Sequence, residues 1–367
     1  MNYYWYDDKY IKRYLHTKFS MPKIDESHCG SVEYKKLYQI NRIFSNSPWG
    51  MLHDSTNHVA HPFNIQTKSE YKYKSFEKTF EQVCIDVAKK IVSNTDKPFA
   101  VLWSGGIDST AALVSMLQTA DHSRITIVCN YKSIKEAPQF YQDVIQGQIK
   151  TISIYEWCCQ AEDFFTISGD AGDTVWGVLD DSFWESHSES IHRPWKQYVS
   201  PDNVDIDFVD EFCSWSGTSI NTLIELRTWF YLCCKWQDKS MRAYEKRPGL
   251  SSINAIGFYD YDDSFQLWTM NNLDKIVGSK WNEYKLPAKK FIHQFYKDDD
   301  YLQNKTKEVS VSIATPCNLW ALQNKKSQVI IDTDFKSYDI ENWPFVDFVE
   351  FENWNDQHHL IPSELLQ

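Results

Sequence analysis

The chain has 367 residues and a formal charge of −12, from 50 Asp and Glu against 38 Lys and Arg. That length can bury a sizeable core and suits two domains of ordinary size, or one large domain with an elaborated end. With 42% hydrophobic and 16% aromatic residues it reads as globular, and its acidic balance argues against nucleic-acid binding, which rests on Lys and Arg neutralising phosphates.

The opening stretch "MNYYWYDDKYIKRYLHTKF" has no apolar run after a basic start, so no secretory leader is expected and the chain reads as cytoplasmic. No run of 18 apolar residues occurs, which excludes a spanning helix by the usual length criterion. Residues 1–74 form an aromatic, His-rich N-terminal extension, and "NSPWGMLHDSTNHVAHPFN" (Asn46 to Asn64) reads as loop from its Pro, Gly, Asn and Asp. The lysine runs "KYIKRYLHTK" and "KSEYKYKSFEKTF" read as solvated faces. Nine cysteines, including the neighbours Cys158/Cys159 and Cys233/Cys234, form no C-x-x-C pair and are expected to be reduced and mostly buried.

From Ser75 the pattern sharpens, and residues 75–310 read as one α/β domain. Phe76, Phe80, Val83, Val87 and Ile91 recur at helical spacing, and "DKP" closes that helix before the strand "FAVLW". A helix at about Ser109 to Thr119 follows, then a strand over Arg124 to Asn130, a helix around Pro138 to Gln146, a strand over Lys150 to Tyr155, and a fourth apolar run at Phe164 to Ser168. Short apolar strands separated by helices predict an open parallel sheet with helices on both faces, over residues 98–180. A mainly helical substrate region is expected at 205–310, building its pocket from Glu211 onward, and a C-terminal extension at 311–367. In that extension the adjacent His358 and His359 diverge in helix or strand, so they read as surface residues.

Between the first strand and its helix lies "SGGIDST". Gly105 and Gly106 let the backbone turn sharply and approach a ligand, and the exposed amides with the Ser104, Ser109 and Thr110 hydroxyls would face an anion at a helix N-terminus. The Gly-Lys-Ser/Thr ending of the Walker loop is absent, so γ-phosphate transfer is not indicated. The plain alternative is a turn followed by a helix cap.

"SGGIDS" resembles the PP-loop of the ATP pyrophosphatases, which cleave ATP to AMP and pyrophosphate and activate a substrate by adenylation. NAD synthetase, GMP synthetase, tRNA thiolases, deazapurine enzymes and asparagine synthetases share that loop. A second stretch, "TISGDAGDTVWG" (Thr166 to Gly177), resembles the "SGDGGDELFGG" segment of asparagine synthetase-like synthase domains. Ser168, Gly169, Gly172, Asp173 and Gly177 match, and Val175 and Trp176 take the apolar pair. Ala171 stands for a glycine and Thr174 for an acidic residue, while Asp170 falls where the family carries a catalytic Glu or Asp.

The resemblance spans about Ser75 to Val309 and implies ATP and Mg²⁺ as cofactors. It makes Asp108 and Asp173 the Mg²⁺ ligands, consistent with the preference of Mg²⁺ for one or two carboxylates plus phosphate oxygens, and it makes Asp170 the base that deprotonates an amine. "EYKLPAKKFI" is similar to "KYLLREAF", placing Lys285 at a phosphate-stabilising lysine and Lys289 near an arginine, and Lys305 and Lys307 fall near a later basic pair. "GFYDYDDSFQLW" is similar to "PFLDHRLVEFA", with Asp260 at its aspartate. By position in the fold, adenine would meet Leu102 and the backbone of Val128 to Asn130, and Glu136 would lie near the nucleotide.

The reaction so implied is adenylation of a small-molecule carboxylate followed by amide formation with ammonia or an amine. The family's glutaminase domain starts on a cysteine, whereas this chain reads Met1-Asn2-Tyr3 with its first cysteine at Cys29, so any glutamine-derived ammonia is expected from a separate glutaminase. No membrane or nucleic-acid partner is expected, and a homodimer stays open. Two alternatives remain: a PP-loop enzyme modifying a nucleotide or nucleobase, and an ATP-binding pseudoenzyme altered around Asp170 and Thr174.

Overall fold

The computed structural model describes residues 32–44, 54, 56, 58–59, 73–153, 156–157, 160–169, 172–176, 191–199, 201, 204–234, 255–273 and 283–305. The first helix, α1 (Val32–Phe44), lies in the N-terminal extension, and Tyr34, Leu37, Ile40 and Phe44 give it one buried stripe. Phe44 meets Phe230 with ring centroids 5.6 Å apart, and the stripe belongs to the same core as the sheet.

Helix α2 (Phe80–Asn94) begins five residues later than the periodicity from Ser75 suggests. Thr79 and Gln82 form a reciprocal capping box, with Gln82 N–H donating to Thr79 Oγ1 at 3.2 Å and Thr79 N–H to Gln82 Oε1 at 2.9 Å. Phe76 is thereby left in an extended lead-in, where its N–H donates to Asn271 Oδ1.

The Rossmann-like alternation then unfolds as β1 (Phe99–Leu102), α3 (Ile107–Thr119) and β2 (Ile125–Cys129). A short helix not expected from the sequence, α4 (Tyr131–Glu136), capped by Asn130, comes first; after a break the expected helix starts at Pro138 as α5 (Pro138–Phe140) and continues as a π-turn over Tyr141–Ile145. Pro138 enforces the break, because the residue before a proline avoids the helical region and Ala137 sits at φ −141°, ψ 66°. Strands β3 (Lys150–Ser153) and β4 (Phe165–Ser168) follow, then the single-turn α6 (Gly172–Val175).

Beyond it come α7 (Ile206–Ser214), α8 (Leu223–Cys234), β5 (Ala255–Gly257), α9 (Ser264–Met270), α10 (Leu286–Tyr296) and α11 (Asp299–Asn304). The three-residue β5 corrects the expectation that the sheet ends by residue 180. Among the described residues no helix is long and apolar enough to cross a membrane. The described cysteines, Cys84, Cys129, Cys213, Cys233 and Cys234, are buried free thiols; Cys158 and Cys159 lie outside the described residues.

The five strands among the described residues are all parallel, in the order β3-β2-β1-β4-β5. Every residue of β1, β2 and β4 is buried, and because successive side chains alternate between faces, both faces of the sheet centre are covered. The chain winds outward from β1 to β3 and returns to place β4 on the other side of β1. That reversal puts the topological switch point between β1 and β4, where open α/β sheets form their ligand crevice at the carboxyl ends of the strands. Leu102 pairs with Ser168 at those ends, so the loops that leave the two strands start side by side.

Candidate functional site

The loop after β1 is braced by its own side chains. Ser109 Oγ donates to the Gly106 carbonyl at 3.0 Å, accepts from Ser104 N–H at 3.1 Å, and meets Ser104 Oγ at 2.9 Å. A hydroxyl has one donor and two acceptor sites, so this network occupies Ser109. Thr110 is fully buried and accepts the Trp103 indole N–H at 3.0 Å. The hydroxyls expected to face an anion therefore shape the loop, and the Gly106 N–H also turns inward, donating to Ser104 Oγ at 3.3 Å. Gly105 is obligatory: its φ is +80°, and a Cβ there would lie 2.3 Å from the Ser133 carbonyl oxygen.

The loop after β4 presses on the start of α3. A Cβ on Gly169 would come within 2.8 Å of Ser109 Cα and N, and one on Gly172 would come within 2.5 Å of Asp108 Cγ. These two glycines let the second loop pass near enough for Asp173, in the first turn of α6, to share a partner with Asp108, in the first turn of α3.

That partner is Lys285. Its ammonium bonds Asp108 Oδ2 and donates to Asp173 Oδ1 at 2.6 Å. Asp108 Oδ1 accepts the Trp176 indole N–H at 3.2 Å, and the Asp108 carbonyl accepts from the Tyr259 hydroxyl, just past β5, at 3.0 Å. Lys285 caps α10 in the left-handed region at φ 55°, ψ 28°, a conformation costly for a residue with a Cβ. Burial pushes the Lys285 ammonium down, but Asp108 and Asp173 together hold it well above the ordinary lysine range. Burial likewise pushes the Asp108 carboxyl up, against the opposing charge of Lys285. Side-chain exposure is 6% for Lys285 and 29% for Asp173, so the cluster opens to solvent on the Asp173 side.

One turn further along α10, Lys289 is buried, and burial with the nearby Lys305 charge lowers its pKa to about 8. Lys305 donates to the Glu136 carbonyl at 2.8 Å and stands 3.5 Å from its carboxylate. Glu136 Oε1 lies 3.3 Å from the position of a Cβ on Gly106, which brings α4, the glycine loop and the end of α11 together.

Of the remaining expected residues, Leu102 and Val128 are buried near the carboxyl ends of β1 and β2, and the Val128 carbonyl accepts Trp103 N–H at 2.9 Å. The Asn130 side chain is engaged in capping α4 through Ser133 N–H. Asp260 closes the 3₁₀ turn Phe258–Asp260 after β5. Asp170, Ala171, Gly177, Lys307, His358 and His359 lie outside the described residues.

Trp176 and Tyr259 enter the site without having been picked out as polar partners. Trp176 sat in the second stretch as one of an apolar pair, but its indole N–H needs an acceptor once buried, and that need was the available signal. Tyr259 acts on a backbone carbonyl and leaves no pattern. No group of three or more His, Cys, Asp or Glu gathers into a metal cluster among the described residues. The chain matches no model of a known protein family and no curated protein.

Proposed function

We propose that the chain is a PP-loop ATP pyrophosphatase of the asparagine synthetase-like kind, an AMP-forming carbon–nitrogen ligase that adenylates a small-molecule carboxylate and passes the acyl group to ammonia or an amine. The observation that carries this reading is the convergence of Asp108 and Asp173 on the single ammonium of Lys285, beside a glycine loop at the switch point of the sheet.

The donor set fits Mg²⁺. Two carboxylates share one ammonium, which leaves one negative charge over, and a divalent cation at that point would balance both. Mg²⁺ typically takes one or two carboxylates and completes its shell with phosphate oxygens and water, so the lack of a third protein ligand is no obstacle. When bound by Asp108 and Asp173 it would neutralise charge on the triphosphate as pyrophosphate leaves.

The protein's own groups then divide the work. The amide of Gly105 would meet phosphate oxygens, and that of Gly106 would join it by giving up its 3.3 Å bond to Ser104 Oγ. Lys285, held cationic, stabilises charge developing on the α-phosphate oxygens. Lys289 is cationic below a pH of about 8 and supplies positive charge for the departing pyrophosphate. Asp170 is the proposed base toward the amine. The nitrogen source, whether free ammonia, an amine on the same substrate or ammonia from a glutaminase, is left open by the residues described.

Pyrophosphate exchange into ATP, run with Mg²⁺ against pools of amino acids, other carboxylates and nucleotides, tests the proposal. Exchange that requires one carboxylate is expected. Exchange that requires a nucleotide would point to base modification, and ATP binding without exchange under any pool would point to a pseudoenzyme.

A further inference from the structure

Among the described residues, five buried tryptophans donate a hydrogen bond from the indole to a described acceptor, and four of them use neutral acceptors. Trp103 donates to the Thr110 hydroxyl, Trp157 to the Thr166 hydroxyl, Trp195 to the Ile220 carbonyl and Trp229 to the Phe212 carbonyl. Trp176 differs, because its acceptor is the Asp108 carboxylate. A neutral acceptor satisfies a buried indole at no electrostatic cost to a site, whereas a bond to a carboxylate is stronger and fixes the plane of the acid.

We propose that Trp176 is a positioning residue for the cation site, orienting the Asp108 carboxylate so that Oδ2 faces the point it shares with Asp173. This rests on the reading of Asp108 and Asp173 as metal ligands. Three features support it. The indole takes Oδ1 and so leaves Oδ2 for the shared cation, at present the Lys285 ammonium. Trp176 lies three residues after Asp173, on the turn that supplies the other carboxylate, so one short segment provides one ligand and aims its partner. The ring itself is fully buried and wedged between Phe80, at 5.0 Å, and Trp268, at 5.5 Å between centroids, so the N–H cannot swing away. The segment this stretch resembles has phenylalanine in that place, which offers the same packing and no donor.

Hydrogen bonds from a neighbouring side chain to a metal-binding carboxylate hold it in position, and their loss typically weakens metal binding by about ten- to a hundredfold. The test is Mn²⁺ binding followed by electron paramagnetic resonance, on the full chain with α,β-methylene ATP present. Trp176→Phe keeps the ring and removes the donor. The expected result is Mn²⁺ binding weaker by about tenfold at a nearly unchanged melting temperature. Trp229→Phe loses a comparable bond to a carbonyl and should leave Mn²⁺ affinity unchanged. If Trp176→Phe fails to fold, benzothienylalanine at 176 replaces the N–H by sulfur in an almost identical shape and gives the same readout. Equal Mn²⁺ affinity in wild type and variant would overturn the positioning role alone. A wild-type protein that binds no Mn²⁺ would overturn the metal assignment and this proposal with it.

Discussion

The two halves of the site are built in opposite ways. The glycine loop is contiguous, and the bonds of Ser104, Gly106 and Ser109 run among those residues themselves. The charged half joins Lys285 to Asp108 across 177 positions and to Asp173 across 112. Hydrogen bonds between near neighbours form once β1 and α3 meet. The ammonium and two carboxylates assemble only when the β4 loop and α10 have both docked on α3. Damage to the first half should therefore change shape, and damage to the second should change charge.

The sharpest way to separate the halves is to remove charge. Lys285→Met leaves two carboxylates together in a largely buried position, and breaking a buried pair in this way costs about 3–5 kcal/mol. Exchange into ATP should fall by a factor on the order of 10² to 10³. Added Mg²⁺ should recover part of the lost melting temperature in Lys285→Met, because a second cation can take the vacated place; no recovery would separate the acids from metal binding. Asp108→Asn and Asp173→Asn should each abolish Mg²⁺-dependent exchange while circular dichroism stays native, and full exchange in either would remove it from the metal site.

Disrupting the loop should give a smaller and differently shaped loss. Gly105→Ala forces a residue with a Cβ to φ +80° and against the Ser133 carbonyl, at a strain cost of about 1–3 kcal/mol before any shift of α4. ATP affinity, read by calorimetry, should fall with it. Mg²⁺ should not restore the melting temperature of Gly105→Ala, since no charge has been uncovered, and a rescue equal to that of Lys285→Met would erase the distinction between the halves.

The same contrast sets what could be read in advance. Strand β1 is a continuous apolar run, β2 and β4 are largely apolar, and "SGGIDST" marks its own turn, so the parallel core and the loop were legible from neighbouring residues. Strand β5 was not, because three residues carry no period and it is defined by pairing with β4, far earlier in the chain. The helix start at Pro138 was legible, since a proline disfavours helix just before it, whereas the six-residue α4 ahead of it was too short to show a period. Lys285 could be placed beside the acids only through the resemblance of "EYKLPAKKFI", because nothing local in a lysine tells which carboxylates it will meet. The Ser109 hydroxyl shows the converse: its type suited an anion, and its contacts place it inside the loop.

The finest distinction lies in titration of the basic side. Burial, and then the Lys305 charge, lower Lys289 to about 8, whereas an unfolded lysine titrates near about 10.4. Below about 8 both states are protonated and the folded state carries a constant penalty. Between about 8 and about 10.4 the unfolded chain binds more protons, so the Lys289 contribution makes stability rise with pH across that window. Nucleotide affinity should move the other way, falling above about 8 as the positive charge is lost, by at most about tenfold per unit. Lys289→Arg should hold affinity level through the window. Lys305→Gln should move the midpoint of the affinity profile upward, and only part of the way to an ordinary lysine, because burial is the larger cause and remains. The shift is expected to be the smallest of these effects, since the Glu136 carboxylate stands 3.5 Å from Lys305 and offsets its charge. An unmoved midpoint would mean that this offset is complete and that Lys289 is depressed by burial alone.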